Sequence, residues 1–146
     1  MLKDEAFGAG GAWADFDNDG DLDIIFGDGI LWGMYMTDTP RTLAIYRNDG
    51  GTNNWITLTL EGTLSNRSAI GSKVFLTAVI EGKSVRQLRE VTCGGGQHSL
   101  NDPRTHFGLG DATVVEHVLI EWPSGEVTEL EGLQPNQFLH IVEGES

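Results

Sequence analysis

Ile56, Leu58 and Leu60 alternate with Trp55, Thr57 and Thr59. A period of two predicts a strand with one face buried. The run from Gly71 to Glu81 is apolar on both faces, which predicts a central strand. Gly82-Lys83 then predicts a hairpin turn into Ser84–Thr92, a strand that carries Arg86, Arg89 and Glu90 and is therefore more exposed. Val114–Trp122 forms another strand, with Val118, Ile120 and Trp122 on one face. Pro123-Ser124-Gly125 turns the chain back into Glu126–Leu130, and Phe138–Val142 makes a last strand before a polar tail. Helical periodicity is nearly absent. The expected fold is all-β, an antiparallel sandwich or barrel-like domain.

The N-terminal part has a different pattern. Gly10-Gly11-Ala12-Trp13-Ala14 and the apolar run Leu22, Ile24, Ile25, Phe26 flank an acidic loop, giving a strand–loop–strand unit. Asn48 to Asn54 holds no apolar residue and marks the boundary, so residues 1–50 form the loop unit and residues 51–146 the β-domain. A unit of about 50 residues cannot bury both faces of its sheet alone. It must pack on the β-domain or on another chain. Trp32, Met34, Tyr35 and Met36 are apolar for a surface insertion and read as core or as a contact patch.

The loop is Asp15-Phe16-Asp17-Asn18-Asp19-Gly20-Asp21-Leu22-Asp23. Carboxylates on alternate residues can turn toward one centre, and Ca²⁺ takes six to eight oxygens at roughly 2.3–2.6 Å. Asp15, Asp17, Asp19 and Asp23 are the expected side-chain ligands. Asp21 is expected to offer its carbonyl, and Gly20 permits the sharp turn. An EF-hand would close on Glu at position 12, where this chain has Phe26, so Asp23 must close the site. The unit resembles one FG-GAP (VCBS-like) repeat, a single blade of an integrin-type propeller. That resemblance implies a calcium-binding blade, although a closed propeller needs several.

A second resemblance covers residues 55–143. It rests on Asn66-Arg67-Ser68-Ala69-Ile70-Gly71-Ser72-Lys73-Val74, then Arg89-Glu90-Val91-Thr92 with Gly94-Gly95-Gly96. Ser99, Asp102-Pro103-Arg104, Phe107-Gly108-Leu109-Gly110 and Ile120-Glu121-Trp122-Pro123-Ser124-Gly125 follow in order. These motifs resemble the ASPIC/UnbV domain, found in many bacterial exported proteins and typically following FG-GAP repeats. The resemblance implies a secreted or surface location, adhesion-like binding and no catalytic residues.

Charge narrows the partners. The formal charge is −13, which argues against nucleic acid and anionic membranes as partners. One Cys, Cys93, permits no internal disulfide and reads as a small buried residue. No apolar stretch is long enough for a transmembrane helix, so membrane insertion is not expected. The N-terminus has no signal-peptide pattern, which leaves a cytoplasmic chain open beside an exported one.

Gly94–Gly110 concentrates His98, Ser99, Asp102, Arg104 and His106. A Ser/His/Asp set can be picked from it, but a triad needs convergence in space with an oxyanion hole, and near neighbours on one loop rarely give that. The chain is therefore read as no enzyme. The loop reads better as a turn or as a ligand surface, with Trp55, His98, Ser99, Asp102 and Arg104 as candidate contacts. Exposed Trp with nearby amides and carboxylates suits carbohydrate. The expected function is a calcium-stabilised interaction module with a protein or carbohydrate ligand. An open sheet edge would also allow a homodimer.

Overall fold

The computed structural model describes residues 8–28, 43–95 and 99–145. The candidate patch at Trp32, Met34, Tyr35 and Met36 lies outside them, as does His98. The chain divides into two compact units. One comprises residues 1–50 with 93–102, the other residues 51–92 with 103–146.

The first unit holds β1 (Gly8–Ala14), β2 (Asp23–Asp28) and β3 (Leu43–Tyr46) in a three-stranded antiparallel sheet of that order. The strand–loop–strand expectation thus gains a third strand. Leu43-Ala44-Ile45-Tyr46 is too short to show a period, but it pairs with β2 through Ile25↔Ile45 and Phe26↔Ala44. The segment 93–102 belongs to this unit. Asp102 N–H donates to the Trp13 carbonyl (3.1 Å), and Trp13 N–H donates to Asn101 Oδ1 (3.1 Å). Cys93 opens this segment and is exposed, which corrects the expectation of a buried thiol. Glycines follow it, and they supply no apolar surface to cover it.

The second unit holds β4 (Asn54–Glu61), β5 (Lys73–Ile80), β6 (Lys83–Glu90), β7 (Thr105–Gly110), β8 (Val115–Glu121), β9 (Val127–Leu133) and β10 (Gln137–Val142). They form a three-stranded sheet of order β10-β4-β7 and a four-stranded sheet of order β6-β5-β8-β9. β5 is central and β6 lies at an edge, as the apolar pattern predicts. The β5–β6 turn is Glu81-Gly82, both with positive φ (50° and 72°), and Lys83 already opens β6. Two left-handed residues in succession match the twist of a tight hairpin.

Two further corrections concern this unit. Thr105–Gly110 is a strand, not part of a loop, and it buries Phe107 and Leu109 completely. β10 runs parallel to β4, from Gln137↔Ile56 to Val142↔Glu61, so the unit is not purely antiparallel. Of the two forms expected, the two sheets form the sandwich and not a closed barrel. β6 is tied to β7 through side chains, by Gln87 Nε2 donating to the Gly108 carbonyl (2.7 Å) and Arg89 Nε to the His106 carbonyl (3.1 Å).

The core lies between the sheets. Ile56, Leu58, Phe107 and Leu109 face Val74, Leu76, Val118 and Ile120, all fully buried. Each such side chain contributes about 1.5–3 kcal/mol relative to exposure. Trp122 closes one end, its indole N–H donating to Thr128 Oγ1 at 2.9 Å.

The polar tail after β10 turns out to be structural. Glu143 is only 2 % exposed. Its Oε2 accepts the backbone N–H groups of Thr63, Leu64 and Ser65 at 2.7–2.8 Å. Its Oε1 accepts the hydroxyls of Ser65 and Ser124. Burial pushes this carboxyl up, but the hydrogen bonds from Ser124, Ser65 and Thr63 outweigh it and hold the pKa at about 2.

The loop that supplies these amides has no room for a side chain at its start. A Cβ on Gly62 would stand 2.2 Å from the Asn66 carbonyl oxygen, a backbone atom. Gly62 N–H also closes the loop on the Arg67 carbonyl at 3.1 Å. Gly62→Ala is expected to destabilise the second unit by about 2 kcal/mol, as overpacking does. A lowered denaturant midpoint at unchanged m would show it.

Candidate metal centre

β1 and β2 pair up to Ala14↔Asp23, so residues 15–22 form the hairpin loop between them. Asn18 (φ 59°) and Gly20 (φ 96°) take left-handed backbone, which wraps the loop back on Asp15. Asp15 is buried at the base. Its Oδ1 accepts Asp19 N–H and its Oδ2 accepts Gly20 N–H, each at 3.1 Å. Asp19 Oδ1 in turn accepts Asp21 N–H at 3.0 Å. These bonds aim the carboxylates inward.

Carboxylate oxygens of Asp15, Asp17 and Asp19 lie within 4.8 Å of one another. Two oxygens on opposite sides of one Ca²⁺ are about 4.8 Å apart, twice a bond of about 2.4 Å. The spread therefore fits a single shared cation. Asp17 and Asp19 are exposed, so the open side of the group faces solvent.

Asp21 and Asp23 do not belong to that group. Asp21 points toward the segment after β3, where a Cβ on Gly50 (φ +72°) would lie 2.0 Å from its Oδ2. Asp23 is fully buried, with Oδ2 accepting Phe16 N–H (3.1 Å) and Oδ1 accepting Asn48 N–H (2.8 Å). It ties both ends of the loop unit together, across 25 residues in one case. A carboxylate oxygen has lone pairs for an amide and a cation together, so this role and ligation are compatible.

The sequence reading passed over Arg47 and Asn48. Arg47 bonds Asp49 through Nε (2.7 Å) and Nη2, and its Nη1 stands 3.8 Å from Asp17. The hydrogen bond and charge of Asp49, with the charges of Asp17 and Asp19, raise its pKa. Asn48 Oδ1 accepts Gly50 N–H at 3.2 Å. The Asn-Asp-Gly run read as a boundary is thus also the floor of the loop.

The other candidate contacts are shared between the two units. Ser99 and Asp102 belong to the first unit, Trp55 and Arg104 to the second. Trp55 packs on Phe138, with ring centroids 4.8 Å apart, and the Arg104 guanidinium carbon lies 5.4 Å from the same Phe138 ring. His117 and His140 sit beside Glu129 (3.2 Å) and Glu61 (3.1 Å).

Comparison with known proteins bears on the second unit most directly. A family model described as ASPIC and UnbV matches residues 62–146, more than half of the chain. Cartilage acidic protein 1 of Mus musculus is 35 % identical over 129 residues, covering 86 % of this chain and 18 % of the relative. The Homo sapiens protein of that name is also 35 % identical over 129 residues (86 % and 17 %). That of Xenopus tropicalis is 33 % identical over 123 residues (82 % and 17 %). This chain thus spans less than a fifth of the length of these relatives. The matched segment runs from the Gly62 turn through the Glu143 clamp, and on that match the chain belongs to the ASPIC and UnbV family.

Proposed function

We propose that this chain is a non-enzymatic interaction module, working outside the cell or at its surface, whose N-terminal unit is held by Ca²⁺. The observation that carries the reading is the convergence of Asp15, Asp17 and Asp19 within 4.8 Å on a loop whose own amides hold Asp15 and Asp19. Asp23 and the Asp21 carbonyl complete the expected ligand set. The metal would screen the mutual repulsion of these carboxylates and fix the β1–β2 hairpin, a structural task with no chemistry attached. The family relatives are named for cartilage, a matrix tissue, which supports an extracellular setting where calcium is plentiful. The acidic loop also supports the likeness to one FG-GAP blade.

Calorimetric titration of the chelator-treated chain tests the reading. Saturable, stoichiometric Ca²⁺ binding that Mg²⁺ does not reproduce is expected. Mg²⁺ demands a tighter octahedron and gives up its water reluctantly. Absence of heat at millimolar Ca²⁺ would sink it.

A further inference from the structure

The sandwich of the second unit is closed along one side and open along the other. On the closed side β6 and β7 come within 8 Å, Cα to Cα, and the side chains of Gln87 and Arg89 bridge them. On the open side β9 ends one sheet and β10 ends the other, and no Cα of β9 comes that close to one of β10. β9 pairs with β8 alone, and among the described residues no other hydrogen bond reaches its backbone. The free N–H and C=O groups of such an edge are a template for one more strand. The two faces of β9 differ. Thr128 and Leu130 turn into the sandwich, while Val127 (53 % exposed), Glu129 and Glu131 stand on its outside. Leu130 and Leu139 pack against the core but are only partly buried, so the apolar interior reaches the open side without being covered there.

Charge divides along the same line. After Arg104 the chain has no Lys or Arg. Lys73, Lys83, Arg86 and Arg89 lie on β5 and β6, toward the closed side. Glu116 and Glu121 lie on β8, Glu126 stands before β9, and Glu129 and Glu131 lie on it. Glu129 holds His117 at 3.2 Å. Glu126 and Glu131 have no ion pair and no side-chain hydrogen bond among the described residues. Charge commonly protects an exposed edge from further pairing. Here that charge has one sign only, so it repels acidic strands and attracts basic ones.

We propose that the outer edge of β9 takes an extended basic peptide, in which Lys or Arg alternates with apolar residues, as an added strand of the sheet β6-β5-β8-β9. The peptide backbone pairs with the free edge. Its basic side chains lie on the outer face, beside Glu129 and Glu131, and its apolar side chains turn inward over Leu130 and Leu139. The match is thus one of period as well as charge. Gly132 takes a left-handed φ of 67°, which ends the regular stretch, so the footprint is Val127–Glu131. The net charge of −13 draws a basic segment in and opposes an acidic one or a second copy of this chain. The proposal names the partner of the interaction module and rests on that reading. It does not rest on calcium, because β8, β9 and β10 lie in the second unit.

The whole chain, at fixed calcium, is titrated with the end-blocked peptide Lys-Val-Lys-Val-Lys-Val-Lys and with its scramble Lys-Lys-Val-Val-Val-Lys-Lys. Amide NMR shifts and hydrogen exchange report the site. The alternating peptide is expected to shift the amides of Val127–Glu131 saturably and to slow their exchange, with the scramble about ten-fold weaker for want of the period. Only one edge of the peptide faces β9. N-methylation of the Val residues or of the Lys residues removes the donors of one edge or the other, so one set should abolish binding and the other be tolerated. Glu129→Gln with Glu131→Gln should weaken binding about five-fold and leave the melting temperature unchanged, since both side chains are exposed. The proposal falls if scramble and alternating peptide bind alike, which is attraction by charge alone, or if both methylated sets are tolerated. It falls too if the double variant binds like the parent, if the shifts map away from β9, or if nothing saturates at millimolar peptide. A dimer seen by sedimentation without peptide, and broken by Glu131→Lys, would give the edge to a second copy instead and overturn the proposal. A failed calcium titration leaves this test intact, so the two readings fail separately.

Discussion

Glu143→Ala is expected to lower the melting temperature of the second unit by on the order of 10 °C, a large effect for one residue after the last strand. The side chain receives three backbone amides and two hydroxyls. Truncation takes the shared acceptor from all five donors, at part-buried hydrogen bonds. Removing one partner of a buried hydrogen bond costs more than the bond itself contributes. Glu143→Gln should be milder. Its carbonyl oxygen can take the amide-facing position, and its NH₂ can donate to the hydroxyls of Ser65 and Ser124, which rotate to accept. The order parent, Gln, Ala in thermal or denaturant unfolding is the check. Equal melting of all three would remove the clamp from the account of stability.

The same group makes stability depend on acid. Its pKa is lowered from an ordinary 4.5 to about 2 in the folded chain. A depressed carboxyl contributes stability that is fully present above its unfolded value and is lost as pH falls toward its folded value. The contribution is therefore constant above about 4.5 and fades between 4.5 and about 2. Glu143→Gln removes it, so the gap between parent and variant should narrow across that window. A gap that stays constant down to pH 2 would show that the carboxylate charge is not what the amides hold.

Glu143 also marks what the sequence leaves unread. The strand β5 is legible because its run is apolar on both faces, and β6 because a turn signal leads into it. The strands β4 and β8 are legible because one-face burial writes a period of two into them. β7 carries the same signal in Thr105, Phe107 and Leu109. His106, Gly108 and the polar residues before it hide that signal in a run that reads as loop. The parallel pairing of β10 with β4 has no local signature, since turn residues announce hairpins only. The clamp is harder still, because its donors lie 78 to 80 residues away in one loop and 19 away in another. A single Glu in an acidic tail carries no trace of them. The aspartate loop is the opposite case. Its partners are mostly within five residues, so spacing alone brings Asp15, Asp17 and Asp19 together. The Asn48 bond to Asp23 and the approach of Arg47 to Asp17, both from beyond β3, needed the fold.

Calcium is expected to raise the melting temperature of the first unit, by a free energy that grows as RT ln(1 + [Ca²⁺]/Kd), about 2.7 kcal/mol at a hundred times Kd. Variants separate ligation from scaffolding within that effect. Asp17 is exposed and stands 3.8 Å from an exposed Arg47, a contact that contributes little. Asp17→Asn should therefore weaken calcium at least about ten-fold by loss of a charged ligand and leave the metal-free melt nearly unchanged. Asp23→Asn should do the reverse in the metal-free chain. It places an NH₂ against either Phe16 N–H or Asn48 N–H, so the hairpin loses an internal tie before any metal arrives. Asp15→Asn combines both losses, because Asp15 accepts two amides and sits in the carboxylate group. It is expected to abolish the calcium-dependent shift and to give the lowest melt of the three. The measurement is thermal unfolding followed by Trp fluorescence, with and without chelator. If Asp17→Asn and the parent gain equally from millimolar calcium, the cation does not sit among these carboxylates. If no variant or parent gains at all, the loop is held by its own amides, and the acidic residues serve only the turn.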